Sequence, residues 1–159
     1  MTMAWKPKSY SNAKNWKKGR DSEDKFCTFM NRVGLGCIKS TFLENKDQHI
    51  DFYIGDKTPV DLKGDKHTDH LWIEKKNVYG GKGSIYGNYK FLVVEYSDIN
   101  TYVFYNRSGL ADYIEQFTLR CKNNNDYYCI YTREGNKDEI IKVKEKDIRE
   151  HEQFRIQYK

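Results

Sequence analysis

The sequence predicts an α+β domain with a mixed central sheet flanked by helices. Three observations carry that prediction. Apolar residues recur at helical spacing in two segments, near 22–33 and 108–119. Alternating or continuous runs rich in Val, Ile, Phe and Tyr recur between and after them. Glycine, asparagine and aspartate clusters punctuate the runs at short intervals. The chain of 159 residues is long enough for one domain with a single substantial core.

In order, the first helix is expected over 22–33, capped by Asp21 or Ser22 and ended by Gly34, with Phe26, Met30 and Val33 as its apolar stripe. Strands follow near 36–43, 48–54 and 58–63, then 70–76. Residues 77–88 form a glycine-rich loop. Strands at 90–96 and 101–105 precede a helix over 108–119, with Ser108 as its cap and Leu110, Ile114 and Phe117 on one face. A hairpin near 127–132 and 139–144 and a short helix and strand in 146–159 complete the chain.

Charge and cysteine content narrow the class. The net charge is +5, from 28 Lys+Arg against 23 Asp+Glu, which points mildly to a polyanionic partner. No apolar run reaches 18 residues and no signal-peptide pattern opens the chain, so a cytoplasmic protein without a membrane partner is expected. Cys27, Cys37, Cys121 and Cys129 form no CxxC pair, which favours reduced thiols over disulfides or a zinc site. The abundance of Lys, Asn and Tyr suggests a biased genome of viral or phage type.

Residues 1–20 read as a basic, flexible arm ahead of a domain over 21–159. They hold Lys6, Lys8, Lys14, Lys17, Lys18 and Arg20, no acid, and the interleaved aromatics Trp5, Tyr10 and Trp16. Such an arm can neutralise phosphates and stack on bases; the alternative is a solvated terminus. Lys82, in the loop Gly80–Gly87, is a further candidate for backbone contact. That loop has the glycines to approach a phosphate but lacks a P-loop ending, and a plain connection is the preferred reading. His67 and His70, with Asp65 and Asp69, sit in a polar turn and read as solvated.

The segment HIDFYIGDKTPVDLKG, residues 49–64, carries the chemistry. Side chains alternate along strands, so pairing Phe52 with Val60 and Ile50 with Leu62 gathers the apolar residues on one face. That register sets Asp51 opposite Asp61 and leaves Gly55 to Lys57 as the turn. Pro59, which lacks an N–H, then falls at a non-hydrogen-bonded position. Two carboxylates facing each other destabilise a sheet. A divalent cation such as Mg²⁺ resolves the conflict. Lys63 shares their face and can orient a water or stabilise charge on a phosphate. Glu23 lies at the edge of the buried stripe of the first helix.

An acid on an N-terminal helix, then Asp51, then Asp61–Leu62–Lys63 about ten residues on, resembles the pattern of the PD-(D/E)XK nucleases, the restriction-endonuclease-like superfamily. VDLKG is similar to the motif strand of phage Holliday-junction endonucleases and related phage nucleases. The chain departs from the pattern with Ile50 in place of the motif's proline and with aspartate at 61 in place of the commoner glutamate. The resemblance covers residues 20–64. It implies a restriction-endonuclease-like fold and a Mg²⁺- or Mn²⁺-dependent endonuclease acting on DNA, with branched DNA and a homodimer both compatible. Asp51, Asp61 and the backbone carbonyl of Leu62 would hold the metal, Glu23 would complete the site and Lys63 would position the nucleophile. A nested alternative reads Asp61 with Glu74 and Lys76 of LWIEKKN, so Glu74 is a further candidate. The rival class is a nucleic-acid-binding module on the same fold without catalysis.

Overall fold

The computed structural model describes residues 9–55, 57–126 and 129–159. The fold is α+β, with a six-stranded mixed sheet, a second three-stranded sheet and four α-helices. The large sheet runs in the order β1 (Cys37–Lys39), β2 (Phe52–Ile54), β3 (Thr58–Lys66), β5 (Phe91–Tyr96), β6 (Thr101–Asn106), β9 (Glu152–Gln157). Only the β3–β5 pair is parallel. The small sheet is antiparallel, in the order β4 (Leu71–Lys76), β8 (Glu139–Val143), β7 (Ile130–Tyr131). Among the described residues no helix is long and apolar enough to cross a membrane.

Both faces of the large sheet are covered. Val93, Tyr102 and Phe104 look toward α1 (Ser9–Arg32), where Phe26, Phe29 and Met30 are buried. Leu92, Val94, Val103 and Tyr105 look the other way, toward α3 (Arg107–Asn123) and the inner residues Leu71, Ile73, Ile141 and Val143 of the small sheet. Alternation puts successive residues of β5 and β6 in different cores, which is why these strands read as continuous apolar runs.

Several expectations are corrected. The first helix begins at Ser9 rather than 22, so neither Asp21 nor Ser22 caps it, and residues 9–20 continue the helix that packs on the sheet. Lys, Arg and Ala favour helix in this stretch, and Lys17/Asp21 and Arg20/Asp24 stand four residues apart. Gly34 does end it, at φ 84°, but Val33 is exposed rather than part of the stripe. The strand expected over 36–43 covers only Cys37–Lys39. Thr41 then starts α2 (Phe42–Gln48) through a capping box: its hydroxyl accepts from the Glu44 N–H, and Glu44 accepts from the Thr41 N–H at 2.9 Å. Asn106, not Ser108, caps α3, accepting from the Gly109 N–H at 2.9 Å. The strand expected near 127–132 is reduced to Ile130–Tyr131, and the final helix is the single turn α4 (Glu145–Ile148).

Close approach of α1 to β3 positions the site. At Gly64 a Cβ would fall 2.4 Å from the Cβ of Ser22, so only glycine lets the helix lie this close. Lys25 adds a second tether, its Nζ 2.5 Å from the buried carboxylate of Glu95, which also accepts from Tyr158 (2.7 Å) and from the Asp65 N–H (3.1 Å). Gly64→Ala is therefore expected to lower stability by about 1–3 kcal/mol, the usual cost of overpacking. Adding Ser22→Gly removes the obstructing atoms, so the double variant should regain part of the loss. Thermal melting of the three variants checks this; an unshifted Gly64→Ala melting point would show that the helix is not held at this contact.

Candidate functional site

The hairpin pairs as the alternation predicts at Phe52↔Val60, Tyr53↔Pro59 and Ile54↔Thr58. Beyond Phe52 the ladder gives way. The Asp51 N–H still donates to the Val60 carbonyl (2.9 Å), so the frame slips by one residue, and Ile50 packs with Tyr89 and Leu92 in the opposite core instead of facing Leu62. Asp51 consequently lies just outside β2, not in a regular cross-strand pair with Asp61.

The slip turns the Asp51 carboxylate toward β3. Oδ2 accepts from the Leu62 N–H at 2.7 Å, and Oδ1 accepts from Asn45 Nδ2 at 2.6 Å. Asn45 lies on α2, which no strand pattern anticipated. The signal was present as the T-x-x-E box Thr41–Glu44. In an extended strand the N–H and C=O of one residue point to the same edge. The Leu62 carbonyl therefore opens on the side where Asp51 sits.

Asp61 is 4% exposed, and its Oδ2 is buried with no hydrogen-bond partner. Lys63 Nζ stands 3.1 Å from that oxygen as an ion pair. The Asp61 charge, aided by Asp51 and Glu74, raises the Lys63 ammonium above the usual lysine range despite its burial. Lys63 is thus held as a cation, suited to orienting a nucleophile or countering phosphate charge and not to removing a proton.

Glu23 faces the pair from α1. Burial, then the Asp51 charge, pushes its carboxyl up, while Lys39 at 4.0 Å opposes the shift. Glu23, Leu62 and Lys63 line a cavity of about 380 Å³ whose other walls include Lys18, Ser22 and Lys66. Burial and then the charge of Lys63 lower the Lys66 ammonium; Asp65, itself paired with Lys18 at 2.5 Å, offsets part of this, and Lys18 adds a further push downward. The cavity thus sets Glu23 among three lysines, one of which, Lys63, is paired with Asp61. Sequence reasoning missed Lys66, Ser22 and Asn45, and it had no means of placing them beside the acids.

The nested alternative is not assembled. Glu74 belongs to the small sheet, where its Oε1 accepts from the Ser84 N–H at 3.0 Å. Lys76 Nζ is bound to Glu139 at 2.8 Å. Glu74 still contributes to the field at Lys63. The glycine loop is closed on itself: Asn77 Oδ1 accepts from the Tyr79 and Gly81 amides (3.0 Å each), and the Gly80 and Gly83 amides reach Asn77 and Lys75 carbonyls (2.9 Å each). Those amides are spent, so the backbone does not form a phosphate cradle. Lys82 is exposed, with Nζ 6.0 Å from the Tyr86 ring. Lys17, Lys18 and Arg20 are exposed on α1; Lys14 lies on the same helix, and Lys6 and Lys8 fall outside the described residues. His67 pairs with Asp69 (3.4 Å) and Asp98 (3.6 Å) at the surface. Among the described residues no three His, Cys, Asp or Glu side chains converge as a set of metal ligands. No known protein family, curated protein or solved structure shows a significant match to the chain.

Burial, followed by the neighbouring Asp61, pushes the Asp51 carboxyl from its ordinary 3.8 up to about 7. The folded protein therefore holds a proton that the unfolded chain releases from about pH 4 upward. Stability is fully present in acid below that value and is lost as pH rises to about 7. With divalent ions chelated, the melting temperature should fall between pH 5 and pH 8 by the equivalent of about 1–3 kcal/mol, after allowance for partial solvent contact and coupling to Asp61. Asp51→Asn should flatten this profile whatever its absolute stability. A profile equally steep in the variant would assign the titration to another group.

Proposed function

We propose that the protein is a Mg²⁺- or Mn²⁺-dependent endonuclease that hydrolyses DNA phosphodiester bonds, with the restriction-endonuclease-like arrangement that its sequence resembles. The observation that carries this reading is the buried carboxylate of Asp61 beside Asp51, its Oδ2 held by the Lys63 ammonium at 3.1 Å. The hydrogen bonding of β3 calls for Asp51, but nothing in the packing of the hairpin calls for Asp61 beside it. Two carboxylates and the Leu62 carbonyl are an all-oxygen donor set, which suits Mg²⁺, an ion that keeps several waters and needs only one or two carboxylates. Asp51, Asp61 and Leu62 would hold the ion, with Glu23 acting through water. When bound, the ion lowers the pKa of a coordinated water and neutralises charge at the phosphate. Lys63 would orient the attacking water through its N–H donors. Lys18 and Lys66 would hold the flanking backbone without reading sequence.

One observation favours a second reading, a nucleic-acid-binding module without catalysis: both oxygens of Asp51 already accept hydrogen bonds within the fold. Cleavage assays separate the two. Linear, nicked and four-way DNA should be inert in EDTA and at least one of them cut in Mg²⁺ or Mn²⁺, with Ca²⁺ supporting binding alone. Asp61→Asn and Lys63→Ala should each lower the cleavage rate about 100-fold or more while leaving binding in place. Near-wild-type cleavage by either variant removes this assignment. Binding without cleavage under every metal establishes the second reading. Lys18→Ala and Lys66→Ala should each reduce the slope of log affinity against log salt by about 0.9, as expected when one phosphate fewer is neutralised.

A further inference from the structure

The small sheet has an outer face that the large sheet does not cover. On it Trp72 of β4 pairs with Lys142 of β8, and Tyr131 of β7 pairs with Ile140 of β8. Trp72 is 42% exposed and Tyr131 51%, while their strand neighbours Leu71, Ile73 and Ile141 are buried on the inner face. The two rings meet diagonally across β8, centroids 5.9 Å apart at 59°, so they do not stack on each other. Lys142 Nζ lies 5.8 Å from the centre of the Trp72 ring. The acid at the end of this face, Glu74, is turned to the Ser84 amide.

We propose that Trp72, Tyr131 and Lys142 form a stacking platform for the unpaired bases of a single-stranded nucleic acid. Aromatic rings on a sheet face accept any base by its π-face, and an adjacent ammonium counters the phosphate that follows it. Paired bases present no free faces, so the platform selects unpaired over duplex nucleic acid. The Lys142 ammonium beside the rings suits a polyanion better than an apolar protein partner. The stacking does not rest on the nuclease reading, and it is measured without cleavage.

Trp72 reports on itself once the other two tryptophans are replaced. The full-length Trp5→Phe/Trp16→Phe protein, in EDTA, is titrated with a single-stranded oligothymidylate of about 20 nucleotides and with a duplex of the same length. The expected result is strong, saturable quenching of Trp72 emission by the single strand and little by the duplex. Trp72→Ala and Tyr131→Ala should each weaken single-strand binding about 5- to 100-fold, the range for removal of one stacked base. Trp72→Phe, which keeps an aromatic face, should recover most of the affinity and guards against misfolding of the alanine variant. Saturating single strand with no quenching, or alanine variants that bind like the parent, overturns the platform. Emission that shifts with protein concentration alone and ignores DNA also overturns it, and marks the face as a contact between copies of the chain. Quenching in EDTA with no cleavage in Mg²⁺ upholds the platform and removes only the nuclease reading. Cleavage without quenching removes only the platform.

Discussion

The hydrogen bond from the Leu62 N–H to Oδ2 of Asp51 is the contact on which the site depends. Strand β3 outruns its hairpin partner: the ladder stops at Phe52↔Val60, and the next amide on that edge belongs to Leu62. Left unpaired in a buried strand, that donor would cost roughly 1–3 kcal/mol. The Asp51 carboxylate takes the place of the missing strand, and Asn45 of α2 fixes its other oxygen. A short acidic side chain at this position thus completes the hydrogen bonding of β3. The same choice forces a second carboxylate against the buried Asp61, and Lys63 is the only cation among the described residues that ion-pairs with Asp61. Structure alone accounts for Asp51. It does not account for Asp61, whose Oδ2 gains no hydrogen bond from its burial.

The surrounding elements fix these groups from three directions. Helix α1 brings Glu23 and Lys18 over the edge because Gly64 admits it and the Lys25–Glu95 pair holds it. Helix α2 contributes no buried side chain, so its packing is weak, yet its Asn45 reaches the centre of the site. Its place comes from backbone: the Ile50 N–H donates to the Glu44 carbonyl at 3.2 Å, and the Asn88 N–H to the Gln48 carbonyl at 2.9 Å. The small sheet closes the remaining side through Glu74 and Trp72. Both main cores therefore meet at the point where β2 ends and β3 continues alongside β5.

The sequence made some of this legible and hid the rest, for physical reasons. Strands β3 to β6 and helix α3 were readable because burial on one or both faces dictates their patterns, and the hairpin register followed from the alternation around Pro59. The slip at Asp51 was not readable. One residue's worth of backbone moved Ile50 to the other core, and an alternation rule has no term for a side chain that replaces a strand. Helix α2 was missed because it buries no stripe, so periodicity was silent while the capping box spoke. The extension of α1 back to Ser9 was hidden because a run of lysines with no acid suits a solvated arm as well as a helix. Of the candidate residues, Asp51, Asp61, Lys63 and Glu23 are brought together, while Glu74 stands at the edge in a separate sheet. That separation reflects chain topology, which places β4 outside the sheet that holds β3.

The electrostatic arrangement sets the order in which partners can occupy the site. On the nuclease reading Lys18, Lys63 and Lys66 would draw a polyanion toward a cavity that Glu23 also lines, with Asp61 paired to Lys63 and Asp51 close enough to push the Glu23 carboxyl up. A phosphate advancing on uncompensated carboxylates meets repulsion that the lysines only partly cancel, because Lys63 is already paired with Asp61 and Lys18 with Asp65. Lys66 is the cavity lysine whose charge is least compensated, and its lowered ammonium records that strain as burial and like charge acting together. Neutralising the acids, by a proton on Asp51 or by a divalent cation on the nuclease reading, relieves both effects at once. It removes the repulsion between the carboxylates, and it frees Lys63 to turn from Asp61 toward an incoming phosphate. On the nuclease reading, cation and polyanion would then bind with positive coupling, since each makes the other's charge tolerable.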